Sequence, residues 1–245
     1  HDQVPAMDIT TVRAIIEAEL GEPVDALYSA FSETPLGAAS IAQVHDATLW
    51  DGRRVAVKVQ RPNLGEIIAK DIAALNYLVS LGEKLIPRLR ALDLPAALHE
   101  MATGLMRETD FSREANSIAI FRNTMTEYPD VWIPEVISDH TRGAVLTMEF
   151  SAGERIDSYA RQHPEAMPQA MNTLVRLMMQ TIFEDGLFHA DPHPGNVFIL
   201  PDGRLSLLDF GSTGELDERM RDALSVLLES IINGDAQAAT VAYLE

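Results

Sequence analysis

Asp191 and Asn196 stand five positions apart in Gly186-Leu-Phe-His-Ala-Asp-Pro-His-Pro-Gly-Asn196, and Asp209 opens an Asp-Phe-Gly tripeptide further on. Two carboxylates and a carboxamide on two short loops are hard oxygen donors. That set can hold a divalent cation and a polyphosphate and face a nucleophile. His189 and His193 lie at His-x-x-x-His spacing. A loop containing Pro192 and Pro194 cannot supply the helical geometry that spacing needs for zinc, so the histidines and prolines read as a stiff scaffold for Asp191 and Asn196.

A cation comes earlier, on Arg54-Val-Ala-Val-Lys-Val-Gln60. Strand alternation puts Val55, Val57 and Val59 on one face and Ala56, Lys58 and Gln60 on the other. Lys58 can place its ammonium beside phosphates while the small Ala56 leaves room for a flat base. Such a lysine needs an acidic partner on a neighbouring helix. Asp110 and Glu114 are four apart and share a face of an uninterrupted helix, with Glu114 the candidate partner. Glu108 lies about 240° from Glu114 around an ideal helix and cannot meet the same lysine unless the helix breaks. Each residue alone also fits an exposed strand or a solvated helix face. Together and in order, Val-Ala-Val-Lys, Asp-x-x-x-x-Asn and Asp-Phe-Gly match the spacing of phosphoryl-transfer sites. Ser40 has no Gly-x-Ser-x-Gly elbow, which argues against a hydrolase triad.

The elements that must hold these residues are legible as patterns. Residues 8–20 read as a helix, capped by Asp8 or Thr10 and stopped at Gly21. Ala30 to Val59 reads as strands, with a hairpin turn at Asp51-Gly52. Helices are predicted from about Leu64 to Leu85 and from about Pro95 to Met125. Strands follow at Val131–Ile137 and Gly143–Phe150. Ser151-Ala-Gly153 reads as a linker, Met171–Glu184 as an apolar helix, and the stretch from Leu216 as helical with a break at Asn233-Gly234. The order predicts an α+β fold of two lobes. Residues 1–150 form an N-lobe with helical additions, and residues 151–245 a mostly helical C-lobe that reads as cut short.

Composition narrows the partners. The chain has 245 residues, 47% of them hydrophobic, and a net charge of −18 from 37 acidic and 19 basic residues. Phosphate backbones repel such a chain, so nucleic acid is not an expected partner, and anionic membranes are disfavoured without a local basic patch. There is no cysteine, which excludes disulfides and thiolate chemistry. No apolar run approaches the ~18 residues of a membrane span.

Five motifs resemble the UbiB/ADCK-type atypical kinases. They are Pro35-Leu-Gly-Ala-Ala-Ser-Ile-Ala-Gln-Val-His45, Val55-Ala-Val-Lys-Val-Gln-Arg-Pro62, Glu108-Thr-Asp-Phe-Ser-Arg-Glu-Ala-Asn116, His189-Ala-Asp-Pro-His-Pro-Gly-Asn196 and Leu208-Asp-Phe-Gly211. The resemblance spans nearly the whole chain. It implies a protein-kinase-like fold that binds ATP and Mg²⁺ and supports coenzyme Q or other prenyl-lipid metabolism. Lys58 would contact phosphates and pair with Glu114, Asp191 would be the catalytic aspartate, and Asn196 and Asp209 would hold metal. Gly37, Ala38, Ala39 and Ser40 would replace a glycine-rich loop. Ala56, Met148, Glu149 and Phe198 would surround the base, with Met148 as gatekeeper. Glu108 and Asp110 would be the regulatory Glu-x-Asp motif. Its Lys-x-Gly-Gln counterpart is not in this sequence, which reads as truncation. After Asp-Phe-Gly no Ala-Pro-Glu follows, which argues for an acceptor other than protein. A quinone precursor or prenyl lipid is the implied partner, with a cytoplasmic location, peripheral to a membrane.

Overall fold

The computed structural model describes residues 4–244, without the side chains of Pro87, Arg90, Glu108 and Leu244. These residues form two compact units. One runs to Asn116 and takes in Glu135–Phe150; the other holds Ser117–Pro134 and the chain from Ser151 onward.

The first unit is built on an antiparallel sheet. Helices α1 (Ile9–Leu20) and α2 (Val24–Leu27) come first, followed by strands β1 (Ala30–Phe31), β2 (Gly37–Ala38), β3 (Ala42–Thr48) and β4 (Arg54–Gln60). The later helices are α3 (Leu64–Leu85), α4 (Leu94–Glu108) and α5 (Phe111–Thr124). Strand β5 (Val131–Trp132) belongs to the second unit, and β6 (Val145–Glu149) returns to complete the order β1-β3-β4-β6, with β2 also on β3. Asp8 caps α1, its carboxylate accepting from the Thr10 and Thr11 N–H groups at 2.9 and 3.2 Å, and Gly21 ends it at φ +80. The cap satisfies helix N–H groups that have no partner within the helix. Val12 and Ile16, one turn apart on α1, are fully buried against Val55, Val57, Val59 and Val145. The valine face of β4 is thus core, which turns the Lys58 face the other way.

The predicted helix over Pro95–Met125 is two helices. α4 ends at Glu108 and α5 starts at Phe111. Asp110 is therefore a cap and does not share a helical face with Glu114: its carboxylate accepts the Ser112 N–H at 3.0 Å. Two tethers hold the break. The Gln60 amide donates to the Thr109 carbonyl, and the Phe111 N–H donates to the Gly143 carbonyl at 2.9 Å. α3 packs on α4 but fully buries none of its own side chains, leaving Tyr77, Leu78 and Leu85 more than half exposed.

The second unit carries β7 (Glu154–Arg155), α6 (Ile156–Gln162), α7 (Met167–Gln180), β8 (Leu187–His189), β9 (Val197–Ile199), β10 (Leu205–Leu207) and β11 (Thr213–Glu215). It closes with α8 (Glu218–Asn233) and α9 (Ala236–Leu244), broken at Gly234 with φ +71. Its sheet has the order β5-β10-β9-β7, and β8 pairs with β11 in a separate ribbon. A single division at residue 150 does not describe this. Ser117–Pro134 belongs with the second unit because β5 pairs in parallel with β10 and Phe121 packs on Phe210, with ring centroids 5.2 Å apart. Gly153 is more than a linker: a Cβ there would lie 3.0 Å from the Ile199 carbonyl oxygen and from the Phe198 Cβ, so β9 can approach only because no side chain intervenes.

Candidate functional site

In the first unit, β4 and α5 bring Lys58 to Glu114. The Lys58 Nζ donates to both carboxylate oxygens of Glu114, at 2.9 and 2.8 Å. The two side chains are 16% and 4% exposed, so the pair is bound bidentately and largely out of water. Nζ also sits 5.0 Å from the centre of the Phe111 ring, which is 1% exposed. That distance falls within the range of a cation–π contact. The helix break makes the meeting possible, since it restarts α5 one turn before Glu114. Glu108 ends α4, and its side chain lies outside the described residues.

Ala56, on the Lys58 face, is buried and stands opposite Met148, also buried. Glu149 turns back on its neighbour: its carboxylate accepts the Glu135 N–H at 2.9 Å, and its own N–H donates to the Glu135 carbonyl at 2.9 Å. The Phe150 N–H is likewise spent on the Arg54 carbonyl at 3.1 Å, with the Arg54 guanidinium 3.6 Å above the Phe150 ring centre. Gly37 and Ala38 pair with Val44 and Gln43 on β3, and the exposed Ala39 and Ser40 lie in the turn that follows. The Ala39 N–H donates to the Ala42 carbonyl at 2.8 Å. Gly37 has open space around its Cα and no positive φ, so nothing in the turn demands glycine.

In the second unit one histidine ties both loops together. The Asp191 N–H donates to His189 Nδ1 at 3.3 Å, and His189 Nε2 donates to the Asp209 carbonyl. That pattern requires the neutral ring with its proton on Nε2. Burial pushes the His189 pKa below its ordinary value, against an opposing pull from Asp209. The ring packs edge-on to Phe210 at 5.3 Å, and Phe210 is 1% exposed. The loop is further closed on itself. The Asn196 Nδ2 donates to the Asp191 carbonyl at 3.3 Å, the Gly195 N–H donates to His193 Nδ1 at 3.0 Å, and the Leu208 N–H donates to the Asn196 carbonyl at 3.1 Å. The Asp209 carboxylate accepts the Gly211 N–H at 3.0 Å, while Asp191 is exposed. Phe198 is half-buried on β9, opposite Ser206 and Arg155.

Asp191, Asn196 and Asp209 are thus linked through one histidine and one hydrogen-bonded loop, and Lys58 and Glu114 are a direct pair. Phe111 and Gln60 act with that pair, and sequence reading passed them by. Alternation already put Gln60 on the Lys58 face, but Phe111 reads as an ordinary core residue until the break in the helix is known.

Residues 1–243 match the ABC1 atypical kinase-like domain, and the chain belongs to that family. It is 34% identical to the probable protein kinase UbiB of Xylella fastidiosa over its whole length and 46% of that protein. It is 32% identical to the chloroplastic protein Activity of bc1 complex kinase 3 of Arabidopsis thaliana, over 97% of this chain and 34% of that one. The chain therefore spans less than half of either relative. Among solved structures it is similar to Mycobacterium tuberculosis Rv3197, determined in complex with erythromycin, at a TM-score of 0.81 and 26% identity, over 97% of this chain and 60% of that one. The fold is the mixed helix and sheet fold of the kinase-like class.

Proposed function

We propose that this chain is the nucleotide-binding domain of an ATP-dependent atypical kinase or ATPase that uses Mg²⁺ and serves quinone or isoprenoid-lipid metabolism. The observation that carries the reading is the bidentate, largely buried Lys58–Glu114 pair, present in the same chain as the Asp191–Asn196 loop and Asp209. A strand lysine held by a helix glutamate is the arrangement kinase sites use to grip phosphates.

The donor types suit magnesium by their chemistry. Asp191, Asn196 and Asp209 offer oxygen, and because the Asn196 amide nitrogen is committed to the Asp191 carbonyl, its amide oxygen is the atom suited to a cation. Asn196 and Asp209 would hold the ion, which would neutralise charge on the phosphate oxygens. Lys58 would hold phosphate oxygens and Glu114 would fix its ammonium. Asp191 would orient the attacking hydroxyl or water and take its proton. The phosphoryl group would then pass to that oxygen with ADP as leaving group. Ala38, Ala39 and Ser40 would cover the phosphates, and Ala56, Met148, Glu149 and Phe198 would line the base. Asp110, with Glu108, would serve regulation through the α4–α5 break. Quinone precursor, prenyl lipid and a membrane-peripheral location come from the family resemblance; among the described residues no helix is long and apolar enough to cross a membrane.

The test is Mg-ATP binding and phosphate release, with and without quinone-precursor-like phenols, in wild type and Asp209→Asn. Turnover in wild type and at least a hundredfold loss in the variant is the expected result. Tight Mg-nucleotide binding with no release above the variant under any condition would turn the reading into a nucleotide-sensing module. Phosphate recovered on a simple alcohol would make the chain a small-molecule phosphotransferase.

A further inference from the structure

We propose that Arg61 is a positioning residue for the Ala-rich turn and ties that turn to the segment that precedes α1. The inference rests on reading the turn as the phosphate cover. Arg61 directly follows β4, and its N–H donates to the Ile41 carbonyl at 2.8 Å. Its side chain then forks. Nε donates to the Ala39 carbonyl at 2.9 Å, and one terminal nitrogen donates to the Pro5 carbonyl at 2.8 Å. One residue thus grips the turn twice and the leading segment once.

The leading segment is itself anchored from below. Gln43, fully buried on β3, accepts the Met7 N–H on its Oε1 at 2.7 Å and donates from Nε2 to His45 Nε2 at 2.8 Å. His45, also fully buried, donates from Nδ1 to the Ser32 carbonyl at 2.8 Å and stacks on Phe31 with ring centroids 5.0 Å apart. Both histidine nitrogens and both ends of the glutamine amide are therefore engaged in one chain of hydrogen bonds that runs from Met7 through β3 to Ser32. A buried polar chain satisfied in this way is rigid, because releasing any member strands another out of water.

The turn needs outside help because it has little of its own. Ala38, Ala39 and Ser40 have no long side chain with which to pack, and Ala39 and Ser40 are exposed. A planar guanidinium can bridge two carbonyls in fixed directions, whereas a lysine ammonium is a single point. Both acceptors are neutral carbonyls, so the positive charge stays beside the turn.

The experiment uses the full chain with Arg61→Met, which keeps the aliphatic stem, and Arg61→Lys. Amide hydrogen exchange is followed across residues 36–42 and 55–59 without nucleotide, and Mg-nucleotide affinity is measured separately. In Arg61→Met, exchange at the turn rises about tenfold, while exchange along β4 and the thermal midpoint hold. Nucleotide affinity falls several-fold, and Arg61→Lys restores less than half of either effect. Unchanged exchange at the turn overturns the proposal, as does raised exchange with unchanged nucleotide affinity. A wild type that binds no Mg-nucleotide, with the exchange effect intact, removes the nucleotide reading and leaves the brace standing.

Discussion

The two units handle charge in opposite ways. In the first, Lys58 and Glu114 neutralise each other within the protein, at 2.8 and 2.9 Å and almost out of water. In the second, backbone hydrogen bonds, the uncharged His189 ring and the packing of Phe210 on Phe121 help to hold the loops that carry Asp191 and Asp209. The first arrangement is complete without a ligand. The second carries Asp191 and Asp209 on its loops in a chain of net charge −18, where a bound cation would offset negative charge. Stability in the first unit should therefore depend on a charged pair, and in the second on apolar and neutral groups.

The largest effect should come from breaking the pair. Glu114→Ala takes the Glu114 carboxylate from a Lys58 ammonium that has little water, a loss of about 3 kcal/mol in urea denaturation, at the lower end for buried pairs because Phe111 still faces the ammonium. Removing both charges, as Lys58→Met with Glu114→Leu, should recover most of that loss. A double variant as unstable as the single one would mean that the pair itself, and not the stranded charge, holds α5 to β4. In the second unit the comparable loss should come from an apolar residue. Phe210→Ala empties a site that is 1% exposed beside Phe121 and His189, at a cost of about 3 kcal/mol. A loss under ~1 kcal/mol would show that the ring cluster is not what braces the loops.

What could be read from the sequence follows from what sequence patterns encode. Alternation at Val55–Gln60 assigned the two faces of β4 because a strand has only two. The Asp191–Asn196 and Asp209 spacing is local, and the two loops do come together through His189. The break at Thr109–Asp110 was not legible, because its cause is remote: Gln60 and Gly143 hold it from elsewhere in the chain. An uninterrupted helix put Asp110 beside Glu114, whereas the break makes Asp110 the cap. The same holds for Ser117–Pro134, whose place in the second unit depends on the pairing of β5 with β10.

Acid should weaken both units through their histidines. Burial holds His189 and His45 below the ordinary value of 6.5. The unfolded chain takes up those protons near pH 6.5 and the folded chain does not. Stability is therefore full above about pH 6.5 and falls as the pH drops toward the folded values, by up to ~1.4 kcal/mol per pH unit for each histidine. Denaturation series from pH 8 to 5 should show this slope, and His189→Gln should remove about half of it. A slope unchanged in His189→Gln would mean that the ring is not kept neutral by its place between Asp191 and Asp209.

The smallest change in stability should come from the residue that matters most to the proposed chemistry. Asp209→Asn keeps an oxygen that can accept the Gly211 N–H and removes one negative charge, so without added metal its stability should stay within ~0.5 kcal/mol of wild type. With Mg-nucleotide at a hundred times its dissociation constant, wild type should gain about 2.7 kcal/mol, and the variant at the same concentrations well under half of that. Glu114→Gln sharpens the contrast from the other side: it should lower stability with or without ligand. If Asp209→Asn instead destabilised the ligand-free chain by ~2 kcal/mol or more, the Asp209 carboxylate would be a structural anchor like Glu114, and the difference between the two units would disappear.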